Sequence, residues 1–137
     1  MEIKQPTKEY RHGNSIVFSC QYHVIFCSKY RRPVLGIEIQ ERLRKCILEK
    51  QDVYGYRVIE MEIMPDHVHL LLDVDPRVGI YSTIAKIKGY TAHTLREEFS
   101  ELRSRLPNMW TRSKFISTTG AVTLDIVKQY IVDQKGV

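Results

Sequence analysis

Three cysteines in 137 residues, at positions 20, 27 and 46, are odd in number and show no paired zinc spacing. That argues against a disulfide scaffold and a zinc module, and fits a reducing compartment. No apolar run approaches the ~20 residues of a membrane span. The leading stretch MEIKQPTKEYRHGNS also lacks the apolar segment of a secretion signal. The expectation is a cytoplasmic protein with no membrane partner. There is no GxxxxGK[ST] phosphate loop, no internal repeat and no low-complexity tract. Acidic residues are the minority, 16 against 21 Lys plus Arg, giving a formal charge of +5. This favours a polyanionic partner without identifying it. The 43% of apolar residues suffices for one core, so residues 1–137 read as a single domain.

Periodicity supplies the elements. SIVFSCQYHVIFCSKYRRPVL is β-branched and aromatic, with Tyr22, Val24 and Phe26 alternating against His23, Ile25 and Cys27, and predicts one long first strand. Ile39, Leu43, Cys46, Ile47 and Tyr54 follow helical spacing over 37–54, with Gly55 as a stop. YRVIEMEIM puts Ile59, Met61 and Ile63 on one side and Glu60 and Glu62 on the other. Pro65-Asp66 then breaks the chain before HVHLLLDV, predicting a hairpin. A second helical stripe runs from Ile80 to Leu102, interrupted only at Gly89, and ends by Pro107. A short strand about SKFIST precedes a last helix marked by Leu124, Val127 and Ile131. The order β, α, β, β, α, β plus a helix predicts an α+β fold. It would be a ferredoxin-like (split βαβ) antiparallel sheet with helices on one face and the other face free.

Alternation places His67, His69, Leu71 and Asp73 on one face of their strand and the aliphatic row Val68, Leu70, Leu72 and Val74 on the other. With the aliphatic row against the helices, the imidazoles stand on the free face, ~7 Å apart along the strand. Two histidines are too few for a catalytic metal, and an oxygen ligand with open positions would suit Mg²⁺ or Mn²⁺ acting on a phosphate. In VKQYIVDQ, Tyr130 and Gln134 lie four residues apart and present a phenol and an amide oxygen together. A phenolate can attack phosphorus when a cation eases its ionisation. The plain alternatives are strand histidines satisfied by hydrogen bonds and a helix tyrosine that only packs.

DHVHLLLDV and VKQYIVDQ, together with YHVIFCSKYRRPVL and LPNMWTRSKFISTTG, resemble the single-tyrosine HUH transposases of hairpin-ended insertion sequences, the 200/605 class. The similarity spans nearly the whole chain. It implies His67, His69 and Gln134 as ligands of a divalent metal and Tyr130 as the nucleophile that cleaves single-stranded DNA. A 5′-phosphotyrosine intermediate and rejoining of strands would follow. It also implies a homodimer with composite active sites and a hairpin-ended single-stranded DNA partner. One departure is that Gly120 is followed by Ala121 where such proteins often carry two glycines. A second expectation is a weakly anchored last helix, because only three residues follow Gln134.

Glu62 and Asp66 are candidate acceptors that could orient a ligand, although solvent exposure and turn formation are the simpler roles. His23 can neighbour the site but reads as structural. Lys29, Arg31 and Arg32, with Tyr30 among them, suit phosphate contacts and base stacking. Lys88 borders the apolar stripe of its helix and is the DNA-binding candidate to test first, with a snorkelling lysine as the plain alternative. A non-catalytic single-strand binder on a ferredoxin-like sheet is the rival function, but it would expect the aromatic signature K/R-G-F/Y-G/A-F-V-x-F/Y, which the chain lacks. A phosphodiesterase with two His-x-Ser/Thr motifs is disfavoured by the single histidine cluster.

Overall fold

The computed structural model describes residues 10–120 and 123–137. The β-branched start of the chain folds as three strands where one long strand was expected. β1 (Arg11–Gly13) and β2 (Ile16–Phe18) form a small hairpin over Asn14-Ser15, with Ser15 at φ 61°, and β3 (Gln21–Cys27) enters the main sheet. Beyond Cys27 the chain leaves the sheet in a 3-10 turn, Lys29–Arg31, in which Tyr30 and Arg31 both adopt left-handed backbone (φ 59° and 52°).

The first helix runs as α1 (Ile37–Glu49) and, after a kink at Lys50, as α2 (Gln51–Tyr54). Gly55 closes it at φ 75°; a Cβ there would lie 2.7 Å from Val78 Cγ2, so glycine is required twice over. β4 (Tyr56–Met64) and β5 (His67–Val74) form the expected hairpin. Its register slips between Val58 and Glu60, so Ile59 is an extra residue. Val58 packs against the core where alternation alone had placed Ile59. Glu60 and Glu62 remain opposite Leu71 and His69.

The second helix is continuous through Gly89 as α3 (Ile80–Glu98) and breaks instead at Phe99 (φ −120°, ψ 88°) before α4 (Ser100–Arg105). β6 (Phe115–Thr118) and α5 (Leu124–Asp133) complete the chain. The sheet order β4-β5-β3-β6, antiparallel throughout, is that of a ferredoxin-like fold.

Val24, Phe26, Val68, Leu70, Leu72 and Val74 from the central strands meet Ile39, Leu43, Ile47, Ile84, Ile87 and Leu95 from α1 and α3 in one core. The opposite face is not free. His23, Ile25 and Leu71 are as buried as the core, and His67 and His69 are only 7% and 6% exposed. Polar contacts tie other segments to this face: Arg11 Nη1 donates to the Asp73 carbonyl at 3.1 Å, and α5 leans on β6 through Tyr130 and Phe115.

Truncating the fully buried Leu70 to alanine is expected to cost about 2–5 kcal/mol in urea unfolding, whereas Ile59→Ala, at the bulge, should cost about 1 kcal/mol or less. Equal costs would contradict the register.

Candidate active site

The site rests on rows of residues that run across the sheet. Met64, His67 and Cys27 form one row, Glu62, His69, Ile25 and Phe115 the next, and Glu60, Leu71, His23 and Ser117 the third. His67 Nδ1 lies 2.7 Å from Asp66 Oδ1. Donating there leaves the lone pair on Nε2, which is buried and has no hydrogen-bond partner. Asp66 therefore stands against the ring, where exposure or turn formation had been the simpler expectation. Its neighbour Glu62 is half-buried beside His69, without a hydrogen bond among the described residues.

His69 Nε2 lies 3.0 Å from His23 Nδ1, so His23, expected to be structural, touches the site directly. Its parity with Ile25 and Cys27 was the available signal. Desolvation first, then His23 and His67, pushes His69 down to about 4, so at neutral pH it is the uncharged imidazole that a metal requires. Cys27, opposite His67, is pushed up to about 12, chiefly by burial, and stays a thiol rather than a thiolate ligand.

The tyrosine helix is placed by the segment before β6. Thr111 N donates to the Cys27 carbonyl at 2.9 Å, and Thr111 Oγ1 lies 3.4 Å from Gln134 Oε1. Gln134 is therefore buried beside the strand that pairs with His67. Tyr130 Oη lies 2.8 Å from Ser113 Oγ, and its ring lies 5.5 Å from that of Phe115. Phe115 is two strands from His69, about 10 Å across the sheet. Burial raises the Tyr130 phenol above its ordinary value, with the Ser113 hydrogen bond opposing, so at rest it is protonated. Neither Thr111 nor Ser113 carried a signal in the sequence.

Among the described residues no group of three or more His, Cys, Asp and Glu side chains is arranged to hold a metal. His67 and His69 offer two imidazole nitrogens on one face, and Gln134, the oxygen donor expected from the sequence, has its Oε1 against Thr111 Oγ1.

The four cations expected to meet DNA separate in the structure. Lys29 lies over the Tyr30 ring at 5.0 Å, and Arg32, exposed, over the same ring at 5.4 Å. Arg31 instead turns inward, its Nε 3.2 Å from Asp66 Oδ2 and its Nη1 3.1 Å from the Ile131 carbonyl. Lys88 is revised as well: its Nζ donates to the carbonyls of Thr111 (2.6 Å) and Ser113 (3.1 Å). Those are the two residues that touch Gln134 and Tyr130. Lys88 nonetheless lines a groove of about 1070 Å³, together with the cations Lys29, Arg96, Arg103 and Arg112. The end of the chain is better anchored than expected, since Tyr30 N donates to the Val137 main-chain oxygen at 2.7 Å. The expected Gly120-Ala121 hinge reaches into Ala121 and Val122, outside the described residues.

Residues 16–134 match the family described as transposase, IS200 like. The chain belongs to the IS200-like transposase family. It is 34% identical over 128 residues to the ISDra2 transposase TnpA of Deinococcus radiodurans, covering 92% of this chain and 91% of the relative. The transposase for insertion sequence element IS200 of Salmonella typhimurium is 29% identical over 119 residues, covering 85% and 78%. A crystal structure assigned as a Deinococcus radiodurans transposase superposes with a TM-score of 0.84 at 30% identity, over 93% of this chain and 99% of that one. The REP-associated tyrosine transposase bound to a REP hairpin shares the fold at a TM-score of 0.57 and 15% identity, over 91% and 68%. Transposition of DNA is thus the function of this family. No helix among the described residues is long and apolar enough to cross a membrane.

Burial, with Lys114 nearby, holds Lys88 at about 8, below its ordinary 10.5. Between these values the unfolded chain binds the proton that the folded chain has lost, so the contribution of Lys88 to stability rises with pH. The unfolding free energy of wild type minus that of Lys88→Met is expected to climb from pH 8 towards 10.5. A flat difference would contradict the lowered pKa of Lys88.

Proposed function

We propose that this transposase is a site-specific single-strand DNA endonuclease and strand transferase that works through Tyr130. The Tyr130 Oη–P bond forms as the P–O3′ bond breaks, the phenolic proton is given up, and the 3′ oxygen departs as a hydroxyl. The 5′ phosphate stays on the tyrosine. A 3′-hydroxyl then attacks that phosphorus and releases the phenol, so phosphodiester bonds are conserved and no nucleotide is consumed. The observation that carries this reading is the partnerless, buried Nε2 of His67 beside a neutral His69. A tyrosine helix is docked on the same sheet face.

Mg²⁺ or Mn²⁺ fits the donor set, with His67 and His69 as imidazole ligands and Gln134 as the oxygen donor. When bound it would polarise the scissile phosphate and make charge build-up there less costly. The chain's own residues do the rest. Asp66 fixes the His67 tautomer, Ser113 fixes the rotor of the Tyr130 hydroxyl, and Lys88 holds the segment that carries Ser113. For ligation through Nε2, His69 must exchange its contact with His23 for the ion.

The partner is read as hairpin-ended single-stranded DNA, and the acting unit as a homodimer with composite sites. Its duplex stem has a counterpart in the basic groove, where Lys29 and Arg112 can reach phosphates. In a composite site, a partner's helix would have to find the Ser113 and Arg31 contacts that α5 makes here within one chain.

Incubation with hairpin-bearing single-stranded DNA and Mn²⁺ is expected to give a denaturation-resistant adduct, absent in Tyr130→Phe and reduced at least about a hundredfold in His67→Ala. An undiminished adduct in Tyr130→Phe would refute the chemistry. Separately, Lys29→Ala and Arg112→Ala should each flatten the log–log salt dependence of hairpin binding by about one unit. Lys88→Met should leave that slope unchanged; a loss of slope there would return Lys88 to the DNA interface.

A further inference from the structure

Arg31 is the member of its basic cluster that reaches Asp66 and α5, and its backbone pays for that direction. Two consecutive non-glycine residues, Tyr30 and Arg31, sit at φ 59° and 52°, a backbone region unfavourable for side chains other than glycine. A web of bonds holds the turn there. Lys29 N donates to the Met109 carbonyl at 3.0 Å, Arg31 N to the Ser28 carbonyl at 2.8 Å, and Ser28 Oγ to the Arg32 carbonyl at 2.6 Å. The turn delivers a guanidinium, 23% exposed, between two parts of the site that do not otherwise touch through Asp66.

On one side Arg31 Nη1 donates to the Ile131 carbonyl, next to Tyr130 and in the last turn of α5. A cation is favoured there by the carbonyls left open at a helix C-terminus. On the other side Arg31 Nε pairs with Asp66 Oδ2, while Oδ1 of the same carboxylate faces His67 Nδ1. The route from the tyrosine helix to the imidazole is therefore four groups long: carbonyl, guanidinium, carboxylate, ring. A planar fork can hold both ends at once, which an ammonium cannot do in the same way.

We propose that Arg31 is a positioning residue that couples the seating of the tyrosine helix to the tautomer and orientation of His67. With α5 docked, Arg31 is fixed from both sides, Asp66 is held, and the lone pair of His67 stays on Nε2. When α5 leaves, Arg31 loses its carbonyl partner and Asp66 its clamp. Such coupling is reciprocal, so loosening Asp66 must loosen α5 in turn. The inference rests on His67 and Tyr130 belonging to one site. Its test uses neither metal nor DNA, so it can fail while the cleavage reading stands, and the reverse.

The test is hydrogen exchange of the α5 amides together with ¹⁵N spectra of the His67 ring, on the full chain. Among the described residues the Asp66 side chain makes no hydrogen bond or ion pair with α5, yet Asp66→Asn is expected to speed α5 exchange at least about fivefold. Arg31→Gln should do the same and also shift His67 away from a single Nδ1–H tautomer. In the double variant α5 should exchange no faster than in Arg31→Gln alone. Arg31→Lys is a milder variant, expected to release α5 while keeping the His67 tautomer through its charge beside Asp66. Amides of β5 serve as the internal reference and should be unaltered in all four. Unchanged α5 exchange in Asp66→Asn, or independent and multiplying effects in the double variant, would overturn the coupling.

Discussion

The antiparallel pairing of β3 with β5 is the constraint on which the rest depends. Its register sets Cys27 against His67 and Ile25 against His69, and sends Val24, Phe26, Val68, Leu70 and Leu72 to the helices. A slip of one residue would exchange the two faces, turning the imidazoles against α1 and α3 and taking the aliphatic row out of the core those helices complete. The hydrophobic core and the candidate site are thus two sides of one pairing, and the stability of the first specifies the second. The neutrality of His69 follows from the same burial.

The tyrosine helix is held differently. Of its apolar residues only Val127 is fully buried, while Ile126 and Val132 are 45% and 58% exposed. Its seat is largely polar: Ser113 on Tyr130, Thr111 on Gln134, Arg31 on the Ile131 carbonyl and Tyr30 on the chain end. Hydrogen bonds of this kind contribute about 1 kcal/mol each and can be re-made elsewhere with little net change. A helix so seated is placed accurately and can be moved cheaply, which suits the nucleophilic role proposed for Tyr130. Lys88 and Arg31 each organise the seat from outside it, by filling carbonyls and by bracing Asp66.

The strand order, the two histidines on one face and the terminal helix were legible because they depend on period and parity, which single residues carry. What was not legible depends on backbone exceptions and on contacts between distant segments. The bulge at Ile59 resets an alternation that looked unbroken, and the kinks at Lys50 and Phe99 have no glycine or proline to announce them. Left-handed Tyr30 and Arg31 are unmarked in YRRP, so Arg31 read as one of three equivalent cations. Lys88 was noticed for its position at the border of an apolar stripe, but a border lysine can snorkel outward or turn in. Only the approach of residues 111–113 decides between them.

A titration of Mn²⁺ into ¹⁵N-labelled, DNA-free protein is the direct test of the divalent-ion site proposed at His67, His69 and Gln134. Paramagnetic broadening should remove the ring signals of His67 and His69 and the side-chain amide of Gln134 first. Loss of signals around Glu60 and Glu62 with the two imidazoles untouched would contradict it.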